Sequence, residues 1–153
     1  MNHSSLQYAL NLLKLRDRTV GEIKDKMKQK GFENSDIIKA VEFLKDKDFI
    51  NDERFVINYI RSKQSFGSAG KYKIKFKLEQ LKVDRELIGR KLSEISPDDE
   101  ESRAKELARN WLSKKQSVPA EKRYEKLGRF LIARGFEISI VRRALEDILK
   151  KNS

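Results

Sequence analysis

The chain has 153 residues, 39% of them charged and 38% hydrophobic, with a net charge of +11 and an isoelectric point near 9.8. That balance favours polyanions or acidic protein surfaces as partners. The absence of cysteine excludes a disulfide framework and a thiolate metal site and is compatible with a reducing cytosol. Apolar runs as short as Phe55-Val56-Ile57 exclude a membrane-spanning helix or a secretory leader, so a soluble cytoplasmic protein is expected.

Ser4 or Ser5 can cap a first helix whose apolar face is Leu6, Leu10 and Leu13 with Ala9 beside it. Thr19 and Glu22 form a capping box that opens a second helix running to about Lys30. In such a box the hydroxyl accepts from the third helical amide and the carboxylate returns to the cap's own amide. Gly31 suits the left-handed residue that ends that helix, and Phe32 can fold back on its last turn. Asn34 or Ser35 then starts a third helix, with Asp36 placed to complement its dipole.

This unit returns twice. Ile23, Met27, Phe32, Ile37, Val41 and Leu44 shifted by 51 residues become Ile74, Leu78, Val83, Ile88, Leu92 and Ile95. Shifted by 104 they become Leu127, Leu131, Phe136, Val141, Leu145 and Ile148. All eighteen positions are apolar, and Lys30-Gly31-Phe32 comes back as Arg134-Gly135-Phe136. Lys82 stands where the middle copy would have glycine, which leaves that turn open. The spacing describes helices joined by a tight turn, in units too small to bury a core alone. The expected fold is all-α: three tandem three-helix repeats, 1–50, 51–96 and 97–153, in an elongated array, straight or curved. Net charge is +2 in residues 1–50, +2 in 51–100 and +7 in 101–153.

The joint between the first two repeats is Asp46 to Asp52. Asn51 or Asp52 reads as a cap, and Glu53 to Ile60 as a helix with Phe55, Val56, Tyr59 and Ile60 inward. The plain interpretation of the acidic pair is capping alone. After Arg61 and Lys63, Ser65-Phe66-Gly67-Ser68-Ala69-Gly70 reads as the most flexible internal loop. Lys71-Tyr72-Lys73-Ile74-Lys75-Phe76-Lys77-Leu78 alternates basic and apolar like a strand, whereas the repeat register places Ile74 and Leu78 on a helix. The register, carried by three copies, predicts the helix. On it Ile74, Leu78 and Leu81 face the core, and Tyr72 and Phe76 lie one turn apart on the other side among Lys71, Lys73, Lys75 and Lys77. That surface can stack on bases and neutralise phosphates of single-stranded nucleic acid; alternatively the aromatics pack on the neighbouring repeat.

Ser96-Pro97 followed by Asp98, Asp99, Glu100 and Glu101 is a strong helix start. The stripe Ala104, Leu107, Ala108, Trp111, Leu112 reads as core, and Lys114 to Pro119 breaks it. The last repeat carries Arg123, Lys126, Arg129 and Arg134 on its second helix and Arg142-Arg143 on its third, which makes it the most basic part of the chain.

A helix-turn-helix would present Ser35, Asp36 and Lys39, or Asp84, Arg85 and Glu86, to base edges. Acids there repel phosphates and argue against sequence-specific groove reading. Enzyme chemistry has little to stand on: the lone His3 lacks a partner, and Gly67 to Lys71 misses the spacing of a phosphate loop, with Tyr72 where Ser or Thr is required. No catalytic residue, metal or cofactor is expected.

Asn51-Asp52-Glu53-Arg54-Phe55 with Tyr59 resembles the acidic-pair, Arg-Phe-Ala and Tyr signature of the bacterial RecX regulators, and Gly70 with Ile74 and Leu78 resembles their following helix. Phe130-Leu131-Ile132-Ala133-Arg134-Gly135-Phe136 resembles the motif of their last repeat, and Lys30-Gly31-Phe32 that of their first. The resemblance covers nearly the entire chain. It departs at Asn51 in place of an acid, Val56 in place of alanine and Lys82 in place of glycine.

The resemblance implies a non-enzymatic modulator of the RecA recombinase in DNA recombination, repair and the SOS response. Such a protein binds the RecA filament on single-stranded DNA and mainly inhibits strand exchange, ATP hydrolysis and coprotease activity. A monomer with no membrane association is expected, its contacts led by Lys71, Lys73, Lys75 and Lys77 with Arg123, Lys126 and Arg129, and joined by Arg61, Lys63, Tyr72, Phe76, Arg134, Arg142 and Arg143. The alternative is a general nucleic-acid-binding repeat protein of repair without a dedicated protein partner.

Overall fold

The apolar periodicity closes into helices throughout. The computed structural model describes residues 3–67 and 69–151, and among them it holds nine α-helices and no strand. They are α1 (His3–Leu15), α2 (Val20–Lys30), α3 (Asn34–Asp46), α4 (Asp52–Ser62), α5 (Lys71–Gln80), α6 (Arg85–Leu92), α7 (Pro97–Lys114), α8 (Ala120–Ala133) and α9 (Ile138–Lys151). A single π-helical turn, Lys63–Gly67, follows α4. The expected flexible loop is therefore helical over Ser65 to Gly67, its Ala69 and Gly70 are buried, and Ser68 lies outside the described residues.

Local chemistry sets most boundaries. The Thr19–Glu22 capping box forms in full. Ser96 accepts from the Asp99 amide at 3.1 Å with Pro97 in the first turn. Two starts differ from expectation. Ser4 and Ser5 lie inside α1, and α3 begins from Glu33, which makes no side-chain cap bond. Asn34 and Ser35 already sit in the first turn of α3, so Asp36 near the helix dipole supplies the favourable charge there.

The eighteen repeat positions behave as one set. All are buried except Phe32, which is half-buried and packs its ring 5.6 Å from that of Tyr8. The turns after α2, α5 and α8 share one hydrogen-bond pattern. The amides of Phe32, Val83 and Phe136 reach back to the carbonyls of Met27, Leu78 and Leu131 at 3.2, 3.2 and 3.3 Å. The residue before each is left-handed: Gly31 at φ 100°, Lys82 at 63° and Gly135 at 93°. Lys82 thus takes the glycine's conformation, with its ammonium 2.6 Å from Asp25.

The chain divides into two compact units, the first made of residues 1–59 and 78–88 and the second of 60–77 and 89–153. In the first, Ala9, Ile23, Met27, Ile37, Ala40, Val41, Leu44 and Ile50 form the core. In the second, Ala104 and Ala108 on α7 and Ala144 on α9 are fully buried among Leu127, Leu131, Phe136, Val141, Leu145 and Ile148. Small side chains on facing helices allow close approach, and Trp111 covers the edge with its ring 6.5 Å from Phe130.

Each unit contains the same kind of seam. In the first, the start of α2 sits on the Leu81–Lys82 turn: Thr19 Oγ1 donates to the Leu81 carbonyl at 2.6 Å, and the Val20 amide donates to Asp52 Oδ1 at 2.9 Å. In the second, the start of α5 sits on the Arg134–Gly135 turn: the amides of Gly70 and Tyr72 donate to the carbonyls of Arg134 and Gly135 at 2.8 and 3.0 Å. The Lys71 amide donates to Glu100 Oε2 at 3.1 Å. An acid from elsewhere in the chain caps the seam helix each time, satisfying amides that a helix start leaves open.

Glycine makes the approach possible. A Cβ on Gly21 would stand 2.5 Å from the Lys82 Cβ, one on Gly70 2.4 Å from the Gly135 carbonyl, and one on Gly135 2.5 Å from the Lys73 Cβ. Where the turn carries a side chain, at Lys82, the opposing helix supplies glycine; where the turn is glycine, at Gly135, the helix carries Lys73.

Candidate functional site

All fourteen basic and aromatic residues singled out from the sequence as contacts fall in the second unit, 60–77 and 89–153. Counting the sequence over the two units gives 13 basic and 13 acidic residues in the first and 22 basic and 11 acidic in the second. The whole net charge of +11 thus belongs to one unit. Its segment 60–77 contains six basic residues and no acid.

That segment includes the first turns of α5. The helix buries Ile74 and Leu78, 1% and 0% exposed, and turns Tyr72 and Phe76 outward, 59% and 62% exposed. The strand-like alternation of basic and apolar residues is therefore an amphipathic helix with a second, exposed aromatic side. Lys73, Lys75 and Lys77 are exposed and form no ion pair among the described residues. Lys71 is different: it is half-buried at the helix start, where its amide is held by Glu100. Arg61 is exposed at the end of α4 and Lys63 half-buried in the π turn.

The seam brings the start of α5 to Arg134, whose backbone carbonyl receives the Gly70 amide. The Arg134 guanidinium lies over the Phe130 ring, 5.0 Å from its centroid, a cation–π geometry that fixes the charge. The other candidates on α8 are partly engaged: Arg123 Nε donates to the Val118 carbonyl at 3.1 Å, and Arg129 is ion-paired with Glu125. Lys126 on α8 and Arg142 and Arg143 on α9 are exposed.

The family-motif residues do structural work in both units. Asn51 Oδ1 caps α4 by accepting from the Arg54 amide at 3.0 Å, and Arg54 pairs with Asp48 at 2.8 Å. Phe55 and Tyr59 stack with centroids 6.2 Å apart, and burial raises the Tyr59 phenol above its ordinary value. Glu53 is exposed. Asp52, the first residue of α4, holds the Val20 amide 32 residues away.

The structural roles of two residues of the second unit were not legible from the sequence. Glu100, read only as a first-turn acid, is 3% exposed, with Oε1 buried and without a hydrogen-bond partner. Burial raises its pKa, opposed by the Lys71 amide and by the charges of Lys71 and Arg103. Gly70, read as the end of a loop and as part of the family motif, is the point on which α5 is seated. Only long-range pairing identifies either role.

Among the described residues no helix is long and apolar enough to cross a membrane, and no group of three or more His, Cys, Asp or Glu side chains is placed to hold a metal ion. Tandem three-helix repeats, with the net positive charge gathered in one of the two compact units, define a helical-repeat protein whose chemistry lies in its surfaces.

The comparisons sharpen that class. Family models for RecX match in three parts: the first three-helix domain over residues 6–44, the second over 51–92 and the third over 85–145. The regulatory protein RecX of Clostridium perfringens (strain 13 / Type A) is 38% identical over 142 residues, covering 88% of this chain and 66% of the relative. That of Clostridium beijerinckii is 30% identical over 143 residues, covering 92% and 66%. The chain thus spans about two thirds of the length of these curated relatives. The crystal structure of RecX from Lactobacillus salivarius superposes with a TM-score of 0.84 at 21% identity, covering 95% of this chain and 94% of that one. The chain belongs to the RecX family of regulatory proteins.

Proposed function

We propose that the chain is a non-enzymatic, cytoplasmic regulator that binds the RecA filament on single-stranded DNA and lowers the recombinase, ATPase and coprotease activities of RecA. The observation that carries this reading is the concentration of the entire net charge of +11 in one unit. A one-sided positive field steers the protein toward a nucleoprotein filament, while the neutral unit is left for contacts with protein. Lys73, Lys75 and Lys77, beside exposed Tyr72 and Phe76, lead the contact, with Lys126, Arg142 and Arg143 contributing; Lys71, Arg123, Arg129 and Arg134 are more locally engaged.

The test is single-strand-dependent ATP hydrolysis by RecA titrated with this protein, with anisotropy of a labelled oligonucleotide as a control for its own DNA binding. Inhibition well below saturation of the DNA is expected. Loss of hydrolysis only once the strand is covered would replace the filament reading with simple competition. That second reading, a general binder of single strands, is favoured by the exposed aromatic pair among lysines, which suits base stacking.

A further inference from the structure

Twice in this chain a turn of the type that ends α2, α5 and α8 receives the first turn of another helix: Leu81–Lys82 takes the start of α2, and Arg134–Gly135 takes the start of α5. The remaining copy, Lys30-Gly31-Phe32, has the same bonding, with the Gly31 amide 3.0 Å from the Lys28 carbonyl and the Phe32 amide 3.2 Å from that of Met27. Yet among the described residues nothing lies within 4 Å of where a Gly31 Cβ would stand. No backbone amide of the described residues donates to the carbonyls of Lys30 or Gly31. Beside this turn opens a groove of about 610 Å³, lined in part by Leu6, Tyr8, Leu10 and Phe32. The unit that contains it has no net charge, which suits a protein surface better than a polyanion.

We propose that the Lys30-Gly31-Phe32 turn docks the first turn of a helix from the protein partner. This rests on the reading that the chain acts on the RecA filament, and it assigns the protein contact to the neutral unit. The seam at Gly135 sets the chemistry of the occupant. Its cap amide donates to the Lys30 carbonyl and the amide two residues on to the Gly31 carbonyl, as Gly70 and Tyr72 donate to Arg134 and Gly135. Its cap residue is glycine, because a Cβ on Gly70 would meet Gly135 backbone atoms at 2.4 Å. Its third helical residue carries a side chain, as Lys73 does opposite Gly135. A second copy of this chain is a poor occupant: the corresponding helix of its last repeat, α8, has Pro119 at the cap, which has no amide to donate.

The test is Gly31→Lys. The equivalent turn carries Lys82 at φ 63°, against 100° at Gly31, so the substitution strains the turn and the circular dichroism control reports whether the fold holds; among the described residues its Cβ meets nothing within 4 Å. In a docked complex that Cβ would meet the incoming helix as a Gly135 Cβ would meet Lys73, at 2.5 Å. Gly31→Asn, a residue that also visits this backbone region, repeats the test with a shorter side chain. The readout is the concentration giving half-inhibition of RecA ATP hydrolysis, with far-UV circular dichroism and oligonucleotide anisotropy alongside. The expected result is a rise of about tenfold or more in that concentration, with helicity and oligonucleotide affinity unchanged. Full potency of the folded variants overturns the docking inference and leaves the filament reading standing. Failure of the unmodified protein to inhibit overturns both. A dimer in sedimentation that Gly31→Lys dissolves would seat a second copy on the turn and overturn the assignment to a different protein.

Discussion

Gly21→Ala is the sharpest probe of how the repeats are joined. Alanine is the better helix former by about 1 kcal/mol, so at an unconstrained position in α2 it would stabilise. Here the added methyl would lie 2.5 Å from the Lys82 Cβ, 3.2 Å from the Lys82 carbonyl oxygen and 3.3 Å from that of Leu81. Those atoms belong to a hydrogen-bonded turn and have little room to retreat. Overpacking of that kind costs about 3 kcal/mol at the upper end of its usual range. Set against the helix gain, the net loss is about 2 kcal/mol, a fall of roughly 4–8 °C in the thermal midpoint of a chain this size. Removing the obstacle reverses the sign. Lys82→Gly takes away the clashing Cβ and relieves a left-handed lysine. It loses only an ion pair with Asp25 whose side chains are 59% and 38% exposed, worth well under about 1 kcal/mol. The double variant Gly21→Ala/Lys82→Gly should match or exceed the parent, giving a coupling of about 2–3 kcal/mol. Thermal and urea denaturation followed by far-UV circular dichroism measure all four corners of the cycle. A Gly21→Ala protein as stable as the parent, or one that Lys82→Gly fails to rescue, would refute the account of the seam.

Gly70→Ala should cost more, about 3 kcal/mol or beyond, because its methyl meets backbone atoms of Gly135 and Phe136 at 2.4–2.6 Å. Gly89→Ala on α6, with nothing among the described residues within 4 Å, should gain up to about 1 kcal/mol; urea midpoints compare the two. Glu100 binds its proton more readily folded than unfolded, since burial raises its pKa. Its contribution to stability is therefore largest below the ordinary carboxylate range and falls as pH rises through the raised folded value. Glu100→Gln, which keeps an acceptor for the Lys71 amide, should flatten that decline, and a profile parallel to the parent's would count against it. Charge reversal at Lys73, Lys75 and Lys77 together should leave helicity intact and weaken filament inhibition. It should also lower the salt slope of single-strand binding by about two units; an unchanged slope and full inhibition would remove this face from the contact. Lys71 is best left in place, since an acid there would face Glu100.

The repeat was legible because its signal is redundant. Three copies of Ile23, Met27, Ile37, Val41 and Leu44 predicted buried positions that the structure buries, and they outweighed the strand-like run at Lys71 to Leu78. The Thr19 box and the Ser96-Pro97 start were legible because their partners lie within three residues. What escaped depends on distance along the chain. The roles of Asp52 and Glu100 need amides 32 and 29 residues away, and a sequence pattern treats both as ordinary first-turn acids. Gly70 stood out in the family motif, but its seat on the Arg134–Gly135 turn stayed hidden for the same reason. Lys82 left its turn open from sequence because the glycine that accommodates it, Gly21, lies on another repeat's helix. The candidate cations were legible as types; which are engaged locally, as Arg123 and Arg129 are, required coordinates.

The pairing of Gly21 with Lys82 also carries a history. Repeats that arise by duplication start with like residues on like surfaces and then diverge one substitution at a time. At this seam a side chain cannot appear on both sides at once, so the helix must hold glycine before the turn gains lysine. The lineage therefore passes through an intermediate with glycine on both sides. At the other seam the turn keeps its glycine, Gly135, and faces Lys73, so there too a side chain stands on only one side. Ancestral sequences inferred for such a chain should place the glycine at position 21 earlier than the lysine at position 82, and lineages that lost the first should never have fixed the second.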